Sequence, residues 1–386
     1  MSVVVVGVGH TKFDELWDKS LQDLLFQAQH EALIDAGLCT TDVDKIIVGS
    51  MSSQSLLRQS LLGCVASEVL GISVPSYHID AACASGGVAI HAAVAEIQAG
   101  RADVVLVSGV EKMSDASVEQ VTSAMINAGD IETEAFCGAT IPGLFALVAR
   151  AYMHLHGATR EDFAHVSVKN HAHGFLNPLA QLRKKLSIQQ VLNAPVVADP
   201  LTLLDCSPIS DGAASLVLCS SDFAKKLNVK SIAITASQVA TDTVSLALRD
   251  DLATFKATKK AATKAFAQAK ITHQDIDVIE VHDAFSVAEL MALEDLGFFK
   301  PGCAAQATRD GVTSLHGKLP VNPSGGLKAK GHPVGATGVA QAVEIVKQLQ
   351  GRCEQRQVPN ARIGLTQNVG GIGTTVAIHI FEKREQ

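Results

Sequence analysis

The property that most constrains how this chain can fold is that it repeats itself. Residues 32–50 read ALIDAGLCTTDVDKIIVGS, and residues 265–283 read AFAQAKITHQDIDVIEVHD. At one constant offset they pair Ala32 with Ala265, Ala36 with Ala269, Asp42 with Asp275 and Asp44 with Asp277. Each stretch reads as a helix, a short turn and a strand. GGVAIHAAVAEIQAGRADVVLVSG (86–109) is echoed by TGVAQAVEIVKQLQG and ARIGLTQNVG within 337–370. The strand-like DGAASLVLCS (211–220) is matched by GTTVAIHIFE (373–382), and the opening MSVVVVGVG by KSIAITASQ (230–238). Any two β–α–β units look alike, so one match means little. Four in the same order indicate a duplicated α/β fold of parallel strands and covering helices.

The halves differ in one place. Between its last two strands the second half has only NVGGIG, whereas the first half runs through residues 110–210. This insertion carries turn signals (GD, IPG, HG, NP, DP) and the basic stretch Arg183, Lys184 and Lys185. Long insertions of this kind form lids or ligand-binding subdomains. The expected division is 1–114 with 206–229 for the first half, 115–205 for the insertion, and 230–386 for the second half.

Composition excludes several classes of function. A net charge of −7 and a pI near 6.0 oppose a broad nucleic-acid or anionic-membrane surface, although a local basic rim for a phosphorylated ligand is compatible. Hydrophobic residues make up 47% but aromatics only 4%, so the core is expected from Val, Ile, Leu and Ala. Eight cysteines without a CxxC pair form neither a disulfide framework nor a zinc ribbon, and no metal is expected. No run approaches the ~18 consecutive apolar residues of a membrane span. The N-terminus reads as a first strand and not a signal peptide, and EKREQ at the other end carries no targeting tripeptide. A cytoplasmic protein is expected.

In open α/β sheets, ligands gather beyond the carboxyl ends of strands. Four such ends are polar or glycine-rich here. In IDAACASGG (79–87), Cys83 stands before a helix over 84–99, whose free N–H groups and dipole favour a thiolate. Gly86 and Gly87 leave room for a substrate or serve helix packing. In EVHDAF (280–285), Asp283 reads as a helix cap, and His282 is open to a catalytic or a structural role. NPSGGLKAKGHPVGATG (322–338) lacks the Lys-Ser/Thr of a Walker loop, and its His332 is placed to act as a base reaching Cys83. QNVGGIGTT (367–375) offers backbone N–H groups for an oxyanion hole.

These four motifs, in this order on a duplicated chain, resemble the thiolase superfamily, and within it the sterol-carrier-protein-type and archaeal-type acetyl-CoA acetyltransferases. The resemblance spans nearly the whole chain, including SPISDGAASLVL. It implies a thiolase fold of two βαβαβαββ halves in five αβαβα layers with an inserted loop domain. It also implies an acyl-CoA C-acyltransferase that makes or cleaves acetoacetyl-CoA or a longer 3-ketoacyl-CoA. Coenzyme A is then substrate and product, with no tightly bound cofactor, and the chain forms a homodimer or homotetramer. By the same resemblance Cys83 is the acylated nucleophile, and His332 activates it and contributes to one oxyanion hole. His282 stands where other thiolases have an Asn, and the N–H groups of Cys83 and Gly370 form a second hole. Arg183, Lys184, Lys185, Ser324 and Gly325 are the expected coenzyme A contacts. A small oligonucleotide-fold bridging protein is an expected partner.

Two departures stand out. Thiolases carry an acid/base cysteine in a C-x-G motif where this chain has Asn368, Val369 and Gly370. Sterol-carrier-type enzymes have HDCF where this chain has Ala284. A carboxamide has no titrating group at neutral pH, so the α-carbon proton is expected to pass to His282, with two alternatives: another thiol such as Cys137 reaching in from the loop domain, or proton-transfer chemistry that is weak or different. Three other functions remain: a retro-aldolase, which tends to use tyrosines where this chain has only Tyr77 and Tyr152, a partner-dependent acyltransferase on a CoA thioester, and a non-catalytic thioester-binding subunit.

Overall fold

The computed structural model describes residues 2–227 and 229–384, so the final two residues of EKREQ lie outside the described residues. The N-terminal half supplies β1 (Val3–His10), β2 (Lys45–Gly49), β3 (Ser76–Ile79), β4 (Val104–Glu111) and β5 (Gly212–Ser220), with α1 (Leu21–Ala36) and α2 (Ser85–Gln98). The insertion between β4 and β5 carries α3 (Val118–Met125), α4 (Ile141–His156), α5 (Arg160–Phe175) and a small hairpin, Val196–Ala198 with Leu201–Thr202. The C-terminal half supplies β6 (Ile232–Thr241), β7 (Val278–Glu280), β8 (Ile363–Gly370) and β9 (Thr375–Glu382). Its helices are α6 (Lys256–Ala269), α7 (Ser286–Asp295), α8 (Gly326–Lys330) and α9 (Thr337–Gln350).

Strand order makes the duplication visible. The sheet runs β3-β2-β4-β5-β1-β6-β9-β8-β7, so each half repeats the other outward from the centre. There β1 and β6 pair antiparallel, Val3 with Ile234 and Val5 with Ile232. The counterpart of β3 in the second half shrinks to one parallel bridge, Ile279 with Val321. Pro320 and Pro323 flank Val321, and proline has no N–H to extend a ladder.

The layers follow from which faces are apolar. Strand β4 is buried along all eight residues, as expected for a strand covered on both sides. Helix α1 packs outside β1, β4 and β5, and α6 packs outside β6 and β9. Between them lie α2 and α9, each touching strands of both halves. This is the αβαβα arrangement. Ile90, Val94 and Ile97 of α2 share one buried cluster with Val339, Val343 and Val346 of α9.

Glycine sets the spacing where the two central helices begin. A Cβ on Gly86 would lie 2.7 Å from the carbonyl oxygen of Gly335, and one on Gly338 would lie 2.4 Å from the nitrogen of Gly87. Gly86 therefore serves helix packing and does not make room for a substrate. No helix among the described residues is long and apolar enough to cross a membrane.

Candidate active site

The nucleophile loop begins where β3 ends. Ala82 adopts φ +52°, a left-handed conformation that costs a non-glycine residue about 1–3 kcal/mol. Side chains on either side hold it there. Asp80 Oδ1 accepts from the Ala82 N–H at 2.9 Å, and Ser85 Oγ accepts from the Ala81 N–H at 2.9 Å. The Ser85 hydroxyl donates in turn to the Ala82 carbonyl at 2.6 Å. The turn leaves Cys83 half-buried at the wall of a cavity, just ahead of α2.

Two histidines come from the other half. Nδ1 of His332 lies 2.7 Å from Thr337 Oγ1, whose own hydrogen is donated to the Pro333 carbonyl at 3.0 Å. That oxygen can only accept from the ring, so His332 is protonated on Nδ1 and its Nε2 lone pair is free. His282 follows β7, with its backbone N–H donated to Gln367 Oε1 at 3.0 Å. The two rings stand edge-on, 5.0 Å between centroids at 84°. The sulfur of Cys83 and a ring nitrogen of each histidine all lie within 4.8 Å of one another. This is also the group of three metal-ligating side chains found among the described residues. Asp283 accepts from the Leu327 N–H at 2.7 Å, so it caps α8 and takes no part in the chemistry.

Burial decides the charge state. It pushes the Cys83 thiol up to about 12, and the buried carboxylate of Glu111 adds to this, while the Gly371 N–H pulls the other way. The helix N-terminus expected to favour a thiolate is outweighed, and α2 itself starts only at Ser85. Burial, with the charge of Lys330, pushes His332 down to about 3. Burial, with His332 beside it, takes His282 well below its ordinary 6.5. The resting pair is a neutral thiol and a neutral imidazole.

The cavity measures about 330 Å³ and is mainly apolar, with Val121, Met125, Phe145 and Phe285 in its wall. Cys206 and Ser207 also line it, and neither stands out along the sequence. Glu111 is a further residue missed there, although a carboxylate ending the apolar run VVLVSGV was a legible signal. Cys137 is exposed and is not among the lining residues. Arg183, Lys184 and Lys185 lie exposed on the insertion, outside that lining. Ser324 is buried, with its N–H and hydroxyl both given to Glu280 at 3.0 and 2.7 Å, and Gly325 is packed on Gly174. Neither reaches the cavity. Beside the sulfur it is the Gly371 N–H that is in place, one residue beyond Gly370.

Residues 3–222 match the family description "Thiolase, N-terminal domain", and residues 238–383 match "Thiolase C-terminal domain-like". The chain belongs to the thiolase family. An acetyl-CoA acetyltransferase of Methanothermobacter thermautotrophicus is 47% identical over 382 residues, covering 99% of each chain. One from Methanocaldococcus jannaschii is 42% identical over 393 residues, again 99% of each. Among solved structures, the Ltp2-ChsH2(DUF35) aldolase superposes with a TM-score of 0.85 at 24% identity, over 100% of this chain and 98% of that one. The thiolase fold and the thiolase class of enzyme, an acyltransferase, follow for this chain. Its place in the family makes the Cys-His-His cluster of the cavity the centre of interest, since acyl transfer through a thiol needs a nucleophile, a base and an oxyanion donor in one pocket.

Proposed function

We propose that this thiolase is an acetyl-CoA C-acetyltransferase that makes or cleaves acetoacetyl-CoA, or a longer 3-ketoacyl-CoA, through an acyl group carried on Cys83. The observation that carries the reading is the convergence of Cys83, His332 and His282 within 4.8 Å in an apolar cavity. Relatives named acetyl-CoA acetyltransferase, matching over almost the full chain, support the substrate class.

Acylation starts from the neutral pair. Nε2 of His332 takes the thiol proton as the sulfur attacks the thioester carbonyl. The N–H groups of Cys83 and Gly371 stabilise the oxyanion, and coenzyme A leaves with the proton from His332. Because the thiol starts high, proton removal and attack are coupled. Coenzyme A acts as substrate and product, and its anionic end would meet the exposed Arg183, Lys184 and Lys185. A homodimer or homotetramer and a small oligonucleotide-fold partner belong to the same proposal. Support for the partner comes from the aldolase that superposes on this chain, which includes a DUF35 component. Eight free cysteines suit a cytoplasmic setting.

Intact-protein mass spectrometry after incubation with acetyl-CoA tests the reading. One acetyl adduct is expected, absent in Cys83→Ala. Wild-type protein that forms no adduct with acetyl-CoA or acetoacetyl-CoA would overturn it.

A further inference from the structure

The strand position that carries the second thiol in other thiolases holds Asn368 on β8, and the other thiol of the cavity wall, Cys206, gives its hydrogen to the Thr202 carbonyl at 3.4 Å. Three hydrogen bonds fix the orientation of that amide. Its Oδ1 accepts from the Gly87 N–H at 3.1 Å, and a backbone N–H can only donate. Its Nδ2 donates to the Cys83 carbonyl at 2.9 Å, and a carbonyl can only accept. The amide cannot be turned over without opposing like groups at both contacts. The second hydrogen on Nδ2 points at Nδ1 of His282, 3.2 Å away. Facing a donor, Nδ1 must present its lone pair, so the hydrogen of the neutral ring sits on Nε2. Glycines make the space this needs. A Cβ on Gly338 would lie 2.2 Å from Asn368 Oδ1, and one on Gly87 2.9 Å from it.

We propose that Asn368 is the positioning residue that holds His282 as a fixed Nε2–H donor, leaving His332 as the single base for both proton transfers. This rests on the thiolase reading above and deepens it. His282 has one lone pair when neutral, and Asn368 occupies it, so His282 does not take the α-carbon proton. It donates a hydrogen bond to the thioester oxygen that becomes the enolate oxygen. For the same reason it offers a metal ion no free lone pair.

The protons balance on one imidazole. In the first half-reaction His332 accepts the Cys83 proton and returns it to departing coenzyme A, ending neutral beside acetyl-Cys83. A second acetyl-CoA then binds. Nε2 of His332 takes one of its α-hydrogens, and the electron pair of that C–H bond becomes the enolate, held by Nε2–H of His282. The enolate carbon attacks the acetyl carbonyl on Cys83, a C–C bond forms and the C–S bond breaks. The leaving thiolate recovers the proton from His332, which restores the starting pair. No second thiol is required.

The mirror images of these two histidines, one held as donor and one as base, give a direct spectroscopic test. In ¹⁵N-histidine-labelled protein, with His282 assigned through His282→Gln, its Nδ1 should appear unprotonated and its Nε2 protonated. Asn368→Asp, whose carboxylate only accepts, should reverse that tautomer. Its α-hydrogen exchange into acetyl-CoA, measured relative to Cys83 acetylation, should fall by about 10²–10³, the usual effect of losing one oxyanion donor. A protonated Nδ1 in the wild type, or an unchanged exchange-to-acetylation ratio in the variant, would overturn the proposal. So would a gain in condensation rate in Asn368→Cys. If Asn368→Asp does not fold, the wild-type spectrum decides alone. A wild type that never becomes acetylated refutes the thiolase reading instead, so the two failures stay distinct.

Discussion

Position for position, β4 ends in Gly109-Val110-Glu111 where β8 ends in Asn368-Val369-Gly370. Each strand end carries one glycine and one polar residue, in opposite order. Each glycine admits a loop from the other half. A Cβ on Gly109 would lie 2.4 Å from the Gly335 carbonyl in the His332 loop, and one on Gly370 would lie 2.2 Å from the Ala81 carbonyl in the Cys83 loop. The polar residues then brace those loops. Glu111 accepts from the Gly335 N–H at 3.0 Å, and it also gathers the Ser50 and Ser52 hydroxyls and the Met51 and Ser52 N–H groups. Asn368 holds the Cys83 carbonyl and the Gly87 N–H. So each half of the duplicated scaffold holds the reactive loop of the other, and neither half is a site by itself.

The largest test of this division of labour removes the base. His332→Ala should slow acetylation of Cys83 by about 10²–10⁴, the usual contribution of general acid–base catalysis, as followed by rapid-quench mass spectrometry. A loss below tenfold would mean that the C-terminal half does not supply the base. Next comes the brace in the N-terminal half. Glu111→Gln keeps the shape but turns an NH₂ toward groups that donate, at a cost of about 1–3 kcal/mol in denaturant unfolding. It also removes a charge that raises the Cys83 thiol, so alkylation of Cys83 at pH 8 should become faster.

Acid should loosen both halves more gently. His332 and His379 are both held neutral by burial, each pushed down to about 3. A base with a depressed folded pKa contributes stability that is complete above its unfolded value near 6.5. That stability is lost as pH falls toward 3. Between pH 7 and 5 each such imidazole should cost about 1–2 kcal/mol. His10 on β1, opposite Ala214 of β5, is likewise held neutral by burial, so amide exchange at pH 5 should rise in β8 and β9 and at that end of β1 and β5 before it rises in β4. The smallest effect is expected from the insertion. Replacing Arg183, Lys184 and Lys185 together by Ala should raise KM for acetyl-CoA by about three- to tenfold with kcat unchanged, since exposed ion pairs contribute about 0.2–1 kcal/mol each. An unchanged KM would take the coenzyme A phosphates elsewhere.

Much of this was legible along the chain. The doubled helix–turn–strand pattern called for two similar halves. Cys83, His282 and His332 stood at strand ends, where such sheets collect ligands. The glycine-rich loops mark close approach, although only the packing of α9 decides that Gly86 faces a helix and not a substrate. Other residues left no local trace. Nothing near Asn368 announces a bond to a carbonyl 285 residues earlier. Cys137 looked available from its place in the insertion, yet its position outside the cavity depends on how α3 and α4 pack.

The sequence by itself determined the duplicated α/β architecture and the identity of the reactive groups, because periodicity and motif order are properties of a chain read in one dimension. Only the tertiary structure decided their protonation. A helix N-terminus beside Cys83 argued for a thiolate. Burial among apolar side chains, with the Glu111 charge nearby, outweighed it and left a neutral thiol. The tautomers of His332 and His282 were likewise set by Thr337 and Asn368. A ring nitrogen gains or loses its hydrogen according to what faces it in space, and that neighbour is fixed only when the two halves close on each other.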